Sequence, residues 1–305
     1  MGLGEVRIGN APVSYGVFGQ AAGGPGASPE MLLETIAEAG YAGSELGPPG
    51  FFGTPEETVA AFHDRGLAVI GCYVPLHLGV NGNAPIEADL VQMRRSCAEL
   101  VSAGGDGLLV LADEGEAALR RCAPRGPGDE ALGLDEAGWG RVAARLERAL
   151  ALAADFGLTA VFHPHVGTYV ESPVEVDRLL ERCAVALAFD SGHIALGGGD
   201  VVTCARRWRE RIAHVHIKDV DFGVLKRVKA GAPQDLGTWF GEVCRPLGAG
   251  DVDLPSLLGE LADGGYAGWM VVEQDRAPTP LEDYPAVAAE QRANYQWLAR
   301  LLGES

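Results

Sequence analysis

Ser172-Pro-Val-Glu-Val-Asp-Arg-Leu-Leu-Glu-Arg-Cys183, followed at once by Val185-Ala-Leu-Ala-Phe-Asp190, is the stretch on which the fold turns. Ser172 offers a capping hydroxyl, Pro173 brings a φ suited to the first helical position, and Glu175 stands where a capping box needs a carboxylate. Val176, Leu179, Leu180 and Cys183 then recur at helical spacing, which predicts an amphipathic helix. Val185 to Asp190 is nearly continuous apolar sequence ending in a carboxylate, as in a parallel strand buried on both faces. A similar run, Leu158–His163, precedes the helix. The unit is strand, helix, strand.

The same unit repeats outward in both directions. Ser28-Pro29, Thr54-Pro55 and Thr279-Pro280 present the same hydroxyl-proline start, and Glu57 and Glu282 complete two further capping-box patterns. Asp135 to Phe156 is the longest helical stretch, with Trp139, Val142, Leu146, Leu150 and Ala153 on one stripe. Further strands are expected at Val6–Val13, Tyr41–Leu46, Leu67–Val74, Gly107–Leu111, Ile212–Lys218 and Gly268–Glu273. Glu38-Ala-Gly-Tyr-Ala-Gly43 is echoed by Asp263-Gly-Gly-Tyr-Ala-Gly268, each closing a helix and opening a strand that ends in Glu45 or Glu273. Eight β-then-α units in 305 residues predict an α/β protein built as a (β/α)8 TIM barrel, a fold that takes about 250 residues plus insertions. A doubly wound sheet competes, but Gly16, Gly19, Gly23, Gly24 and Gly26 after the first strand lack the G-x-G-x-x-G spacing. No composition break divides the chain. One domain over 1–305 is expected, with a long loop insertion near 219–252 whose Trp239 and Phe240, among Lys226, Arg227 and Lys229, suit a lid or subunit contact.

Composition narrows the function. Lys and Arg number 24 against 42 Asp and Glu, a formal charge of −18 that opposes any phosphate backbone, so no nucleic-acid partner is expected. No apolar run reaches about 18 residues, so no membrane span is expected. Met1–Asn10 lack a basic-then-apolar leader, and the six cysteines are widely spaced with no C-x-x-C pair; both point to a cytoplasmic protein with buried thiols.

In a parallel barrel the chemistry gathers where the strands end. The fifth strand ends Val161-Phe-His-Pro-His165, the sixth Ala188-Phe-Asp190 before Ser-Gly-His193, the seventh holds His214-Val-His-Ile-Lys-Asp219, and the eighth ends Val272-Glu273. Five of the seven histidines lie in three consecutive segments. Strand alternation puts His163 with His165, and His214 with His216 and Lys218, on shared faces. Asp190 is in phase with small Ala186 and Ala188, the face with room for a ligand. Asp190, His216, Glu273 and one fifth-strand residue can therefore converge, a mixed N/O set suited to Mn, Co, Zn or Fe rather than Mg or Ca. His77, after the third strand, is a further candidate for substrate contact, and Tyr15 and Phe18 for the pocket floor.

The combination Phe162-His-Pro-His-Val-Gly-Thr168, Phe189-Asp-Ser-Gly-His193, His214-Val-His-Ile-Lys-Asp219, Gly248-Ala-Gly-Asp-Val-Asp253 and Gly268-Trp-Met-Val-Val-Glu273 resembles the xylose-isomerase-like barrel superfamily of sugar isomerases and epimerases, and within it the inosose (2-keto-myo-inositol) dehydratases. The likeness runs from Ala11-Pro12 to the last strand; the His-Pro-His-x-Gly-Thr element points most narrowly to the dehydratases. The resemblance implies a divalent metal, Mn or Co favoured, on His163, Asp190, His216 and Glu273, with His193 touching the substrate. It also implies a small polyol or keto-sugar substrate and a homo-oligomer. Epimerases of this superfamily carry Glu where this chain has His163, a departure that weakens a two-base mechanism and leaves the metal set intact.

The implied reaction is loss of water next to a ketone. It needs an acidified α-proton, a base to take it and an acid for the departing hydroxyl, with a Lewis-acid metal stabilising the enolate. His165, Lys218 and Glu45 are the acid/base candidates. A keto-sugar isomerase or epimerase on the same metal is the first alternative. A phosphodiesterase of the DNA-repair type is opposed by the charge, and a non-catalytic polyol-binding protein would need no metal.

Overall fold

The computed structural model describes residues 5–17, 26–104, 107–125 and 129–303. Phe18 lies outside them. Ten strands occur among the described residues: β1 (Val6–Asn10), β2 (Gly43–Leu46), β3 (Ala68–Leu76), β4 (Leu108–Asp113), β5 (Thr159–Phe162), β6 (Ala186–Asp190), β7 (Ile212–Ile217), β8 (Asp219–Val220), β9 (Cys244–Arg245) and β10 (Gly268–Val272). All except β8 and β9 close into one parallel barrel in the order β1-β10-β7-β6-β5-β4-β3-β2. This is the expected (β/α)8 architecture, with each expected strand matched to within a few residues.

Alternation along the strands divides the core. Leu108, Val110, Val161 and Ala188 pack together inside the barrel, as do Ile70, Trp269 and Val271. Phe162, Leu187, Phe189, Val215 and Ile217 belong instead to the large layer packed under the helices. The inward residues that follow in phase, His163, Asp190, His216 and Glu273, are thereby carried to one end of the barrel. Gly43 shows how tight the interior is: a Cβ there would sit 2.6 Å from the Ala68 carbonyl oxygen and 2.9 Å from the Trp269 ring.

The helix starts follow the capping chemistry. The Ser28 hydroxyl accepts from Met31 N–H ahead of helix Pro29–Ala39. Thr54 with Glu57, and Ser172 with Glu175, form complete capping boxes. Asp135 caps helix Glu136–Asp155, which buries Trp139, Val142, Leu146 and Ala153. Thr279 departs from expectation. Its hydroxyl donates to the Ala277 carbonyl, a 3-10 turn spans Leu281–Asp283, and the last helix runs Tyr284–Leu302. Pro285 decides this: lacking an N–H, it is best placed in a first helical turn, so the helix begins beside it.

The 219–252 segment is not the long loop expected. It folds as helices Phe222–Ala230 and Leu236–Val243, capped by Asp221 and Asp235 and closed at the base by antiparallel β8 and β9. Leu236, Trp239, Phe240 and Val243 are all buried, at a helical spacing that burial exploits. All six cysteines are free thiols, five buried and Cys122 half-buried. Among the described residues no helix is long and apolar enough to cross a membrane.

Candidate metal centre and active site

Asp190 ends β6, and its two oxygens have separate tasks. Oδ1 accepts the His193 N–H at 2.9 Å, which starts helix Ser191–Leu196. Oδ2 is left facing His163 Nε2 at 3.2 Å, Lys218 Nζ at 3.3 Å and His216 Nδ1 at 3.6 Å. Glu273, just past β10, brings Oε2 to 3.2 Å from His216 Nδ1. His163, Asp190, His216 and Glu273 are buried, and one donor atom from each lies within 4.8 Å of the others. His163 Nδ1 and His216 Nδ1 are buried without a hydrogen-bond partner, an arrangement proteins otherwise avoid. Two imidazoles and two carboxylates with unspent donor capacity fit a divalent transition-metal cation.

Charge is concentrated around the same point. Burial alone would raise the Glu273 carboxyl, but the His216 and Lys218 charges hold it down at about 2. Burial opposes the charged form of His216, yet the nearby carboxylates of Glu273, Glu45 and Asp190 push it well above its ordinary value. Lys218 behaves likewise: Asp190, Asp275 and Glu273 outweigh burial and keep the ammonium charged. Its Nζ lies 2.6 Å from Asp275, 3.0 Å from Glu273 and 3.3 Å from Asp190.

His165 and His193 form a neutral pair beside this charge. His165 Nδ1 is 2.7 Å from the Val166 carbonyl, so the neutral ring carries its proton there and its lone pair on Nε2. Burial, with the charges of His163 and Lys218, pushes His165 down to about 3. Val166 N–H donates to His193 Nδ1 at 3.3 Å, and His193 Nε2 lies 3.3 Å from Lys218 Nζ. The two rings lie 3.8 Å apart, and Phe240 stacks on His193 at 5.4 Å and 15°. The 219–252 excursion thus supplies an aromatic cover for the histidine pair. Gly192 leaves the space Lys218 needs, since a Cβ there would meet the lysine Cβ at 2.7 Å.

The three remaining candidates each have contacts of their own. Glu45 is buried inside the barrel, with Oε1 accepting from His214 Nε2 at 2.8 Å and His216 Nε2 at 3.0 Å. Both histidines hold its carboxyl below the usual range against the opposing effect of burial. His77 has its Nδ1 3.1 Å from both Asp89 oxygens and its N–H on Asp89. Tyr15 is buried 6.1 Å from Tyr284, toward the last helix. Asp275 and Phe240 are participants that the sequence patterns did not assign. Asp275 is legible in principle, being two residues on from Glu273 and so in the same phase.

The xylose isomerase-like TIM barrel family model matches residues 33–301. The chain belongs to this family. Within it, the inosose dehydratase of Bacillus velezensis is 28% identical over 288 residues, covering 92% of this chain and 94% of that one. The inosose dehydratase of Clostridium perfringens is 27% identical over 286 residues, covering 91% and 94%. The rhizopine catabolism protein MocC of Rhizobium meliloti is 44% identical over 127 residues, 41% of this chain and 39% of that protein. Among solved structures, the IolI protein with a bound zinc atom superposes with TM-score 0.70 at 13% identity, covering 98% of each chain. An L-ribulose 3-epimerase gives 0.69 at 16% identity over 98% of this chain and 95% of that one. These two likenesses concern the fold.

Proposed function

We propose that this family member is a divalent-metal-dependent lyase that removes water from a keto-polyol of the inosose type. Full-length similarity to inosose dehydratases supports the substrate class. The observation that carries the chemistry is the pairing of a charged Lys218, held by three carboxylates, with a neutral His165 whose lone pair is on Nε2. Epimerisation by two bases needs like groups on either side of one carbon. Dehydration needs an acid and a base of different character, and this site contains one of each.

His163, Asp190, His216 and Glu273 would hold the cation, which supplies Lewis-acid polarisation of a substrate oxygen when bound. His165 Nε2 takes the proton α to the ketone. Lys218 Nζ gives a proton to the departing β-hydroxyl, and Asp275, at 2.6 Å, keeps the ammonium aimed and charged. His193 positions a substrate hydroxyl beside Lys218. Phe240 excludes water from the histidine pair. Free thiols at all six cysteines suit a cytoplasmic setting.

Incubating the Mn-loaded protein with inosose in deuterated water tests the reading. Loss of water to a dione product supports it. Deuterium exchange without loss of water would favour the keto-sugar isomerase or epimerase, and neither change would overturn both.

A further inference from the structure

The Glu45–His214–His216 trio lies outside the proposed chemistry yet touches one proposed metal ligand. We propose that Glu45 is a positioning residue: its carboxylate fixes the tautomer and orientation of His216, so that Nδ1 is the atom presented to the cation. The inference rests on the metal reading above and adds to it a role for the second strand.

The geometry is specific. A single oxygen, Glu45 Oε1, accepts from His216 Nε2 at 3.0 Å and from His214 Nε2 at 2.8 Å. All three side chains are at most 3% exposed. With its Nε2 proton held by Glu45, the neutral His216 ring, the form that binds a cation, can offer only Nδ1 as a lone pair. That atom already faces Glu273 Oε2 and Asp190 Oδ2 and has no hydrogen-bond partner. His214 lies two residues earlier on β7, and its ring stands edge-on to His216 with centroids 5.0 Å apart. It is a second anchor that keeps Glu45 from rotating away.

Glu45 reaches this point from across the barrel. β2 and β7 are separated by β1 and β10 in the closed order, and the β2–β3 register shifts between Ser44 and Leu46, at Glu45 itself. Register shifts of this kind re-aim side chains beside functional sites. A carboxylate on the far nitrogen of a metal-bound imidazole raises ligand basicity and fixes the ring, and its loss typically costs about 10–100-fold in metal affinity.

Zinc affinity measured by chelator competition on wild-type, Glu45→Gln and His214→Asn proteins tests the inference, with metal-free thermal melts alongside. The expected result is one zinc per chain in wild type. Binding weakens about 10–100-fold in Glu45→Gln, and less in His214→Asn. With Co(II) as probe, the visible absorption band of Glu45→Gln shifts from that of wild type. Partial retention of wild-type affinity in Glu45→Asp, against its loss in Glu45→Gln, would identify the charge as the active element. Equal affinity and an unchanged cobalt spectrum in Glu45→Gln would overturn the inference while leaving the metal reading intact. Two zinc ions per chain, falling to one in Glu45→Gln, would overturn it in favour of the trio as a cation site of its own. No zinc in wild type would instead overturn the metal reading.

Discussion

Lys218→Met removes the one ammonium that faces Asp190, Glu273 and Asp275 at 3.3, 3.0 and 2.6 Å, from a side chain only 3% exposed. Methionine keeps the volume and deletes the charge, so three buried carboxylates lose a shared partner. Breaking a buried ion pair in this way costs about 3–5 kcal/mol. With an unfolding entropy of about 2.1 cal/mol/K per residue, 305 residues give roughly 0.6 kcal/mol/K, so the melting temperature should fall by about 5–8 °C. Differential scanning calorimetry at pH 7 in the presence of a chelator measures the change. Added divalent cation should recover part of it, because the cation supplies positive charge to Asp190 and Glu273. Arg227→Met is the control: its pair with Glu242 is 64% exposed on both sides, and such pairs contribute about 1 kcal/mol or less. A Lys218→Met protein melting within about 2 °C of wild type would refute the reasoning, since the ammonium would then not be balancing buried carboxylates. Turnover on inosose should also fall by about 10²–10⁴-fold, the usual size of a lost general acid.

Two further outcomes follow from the same geometry. Gly192→Ala sets a methyl 2.7 Å from Lys218 Cβ, so it should lower kcat on inosose while metal content by elemental analysis stays at the wild-type level. Glu260, held below its ordinary value of 4.5 by hydrogen bonds from Arg206 and Arg209, should stabilise the fold above that pH and stop doing so as pH falls through its lowered pKa. The melting-temperature gap between wild type and Glu260→Gln should accordingly be present above pH 4.5 and close as pH falls below it through the lowered Glu260 pKa.

The barrel is legible in the sequence because its signals are local. Ser172-Pro173 with Glu175, the apolar run ending at Asp190 and the Gly43/Gly268 echo each report a helix start or a buried strand without distant information. The inward phase of Asp190, His216 and Glu273 follows from the two-residue period of a strand, which is why three of the four clustered residues group together on sequence pattern alone. What escapes that pattern depends on contacts between distant segments. Glu45 reads as a strand-end carboxylate, and only barrel closure brings it onto His214 and His216. Phe240 reads as an aromatic in a long connection, and its stacking on His193 requires two helices that Asp221 and Asp235 start. His77 carries no local sign of its partner, because Asp89 lies on the following helix. The Thr279 start fails for a local reason: Pro285 competes for the same turn.

The proposed chemistry requires above all a cation sitting among four side chains. Anomalous diffraction from crystals grown with Mn or Zn measures this directly. The predicted result is one peak per chain with ligand distances of about 2.0–2.2 Å to His163, Asp190, His216 Nδ1 and Glu273. A loaded, folded protein with no peak there, or with the peak elsewhere, would contradict it.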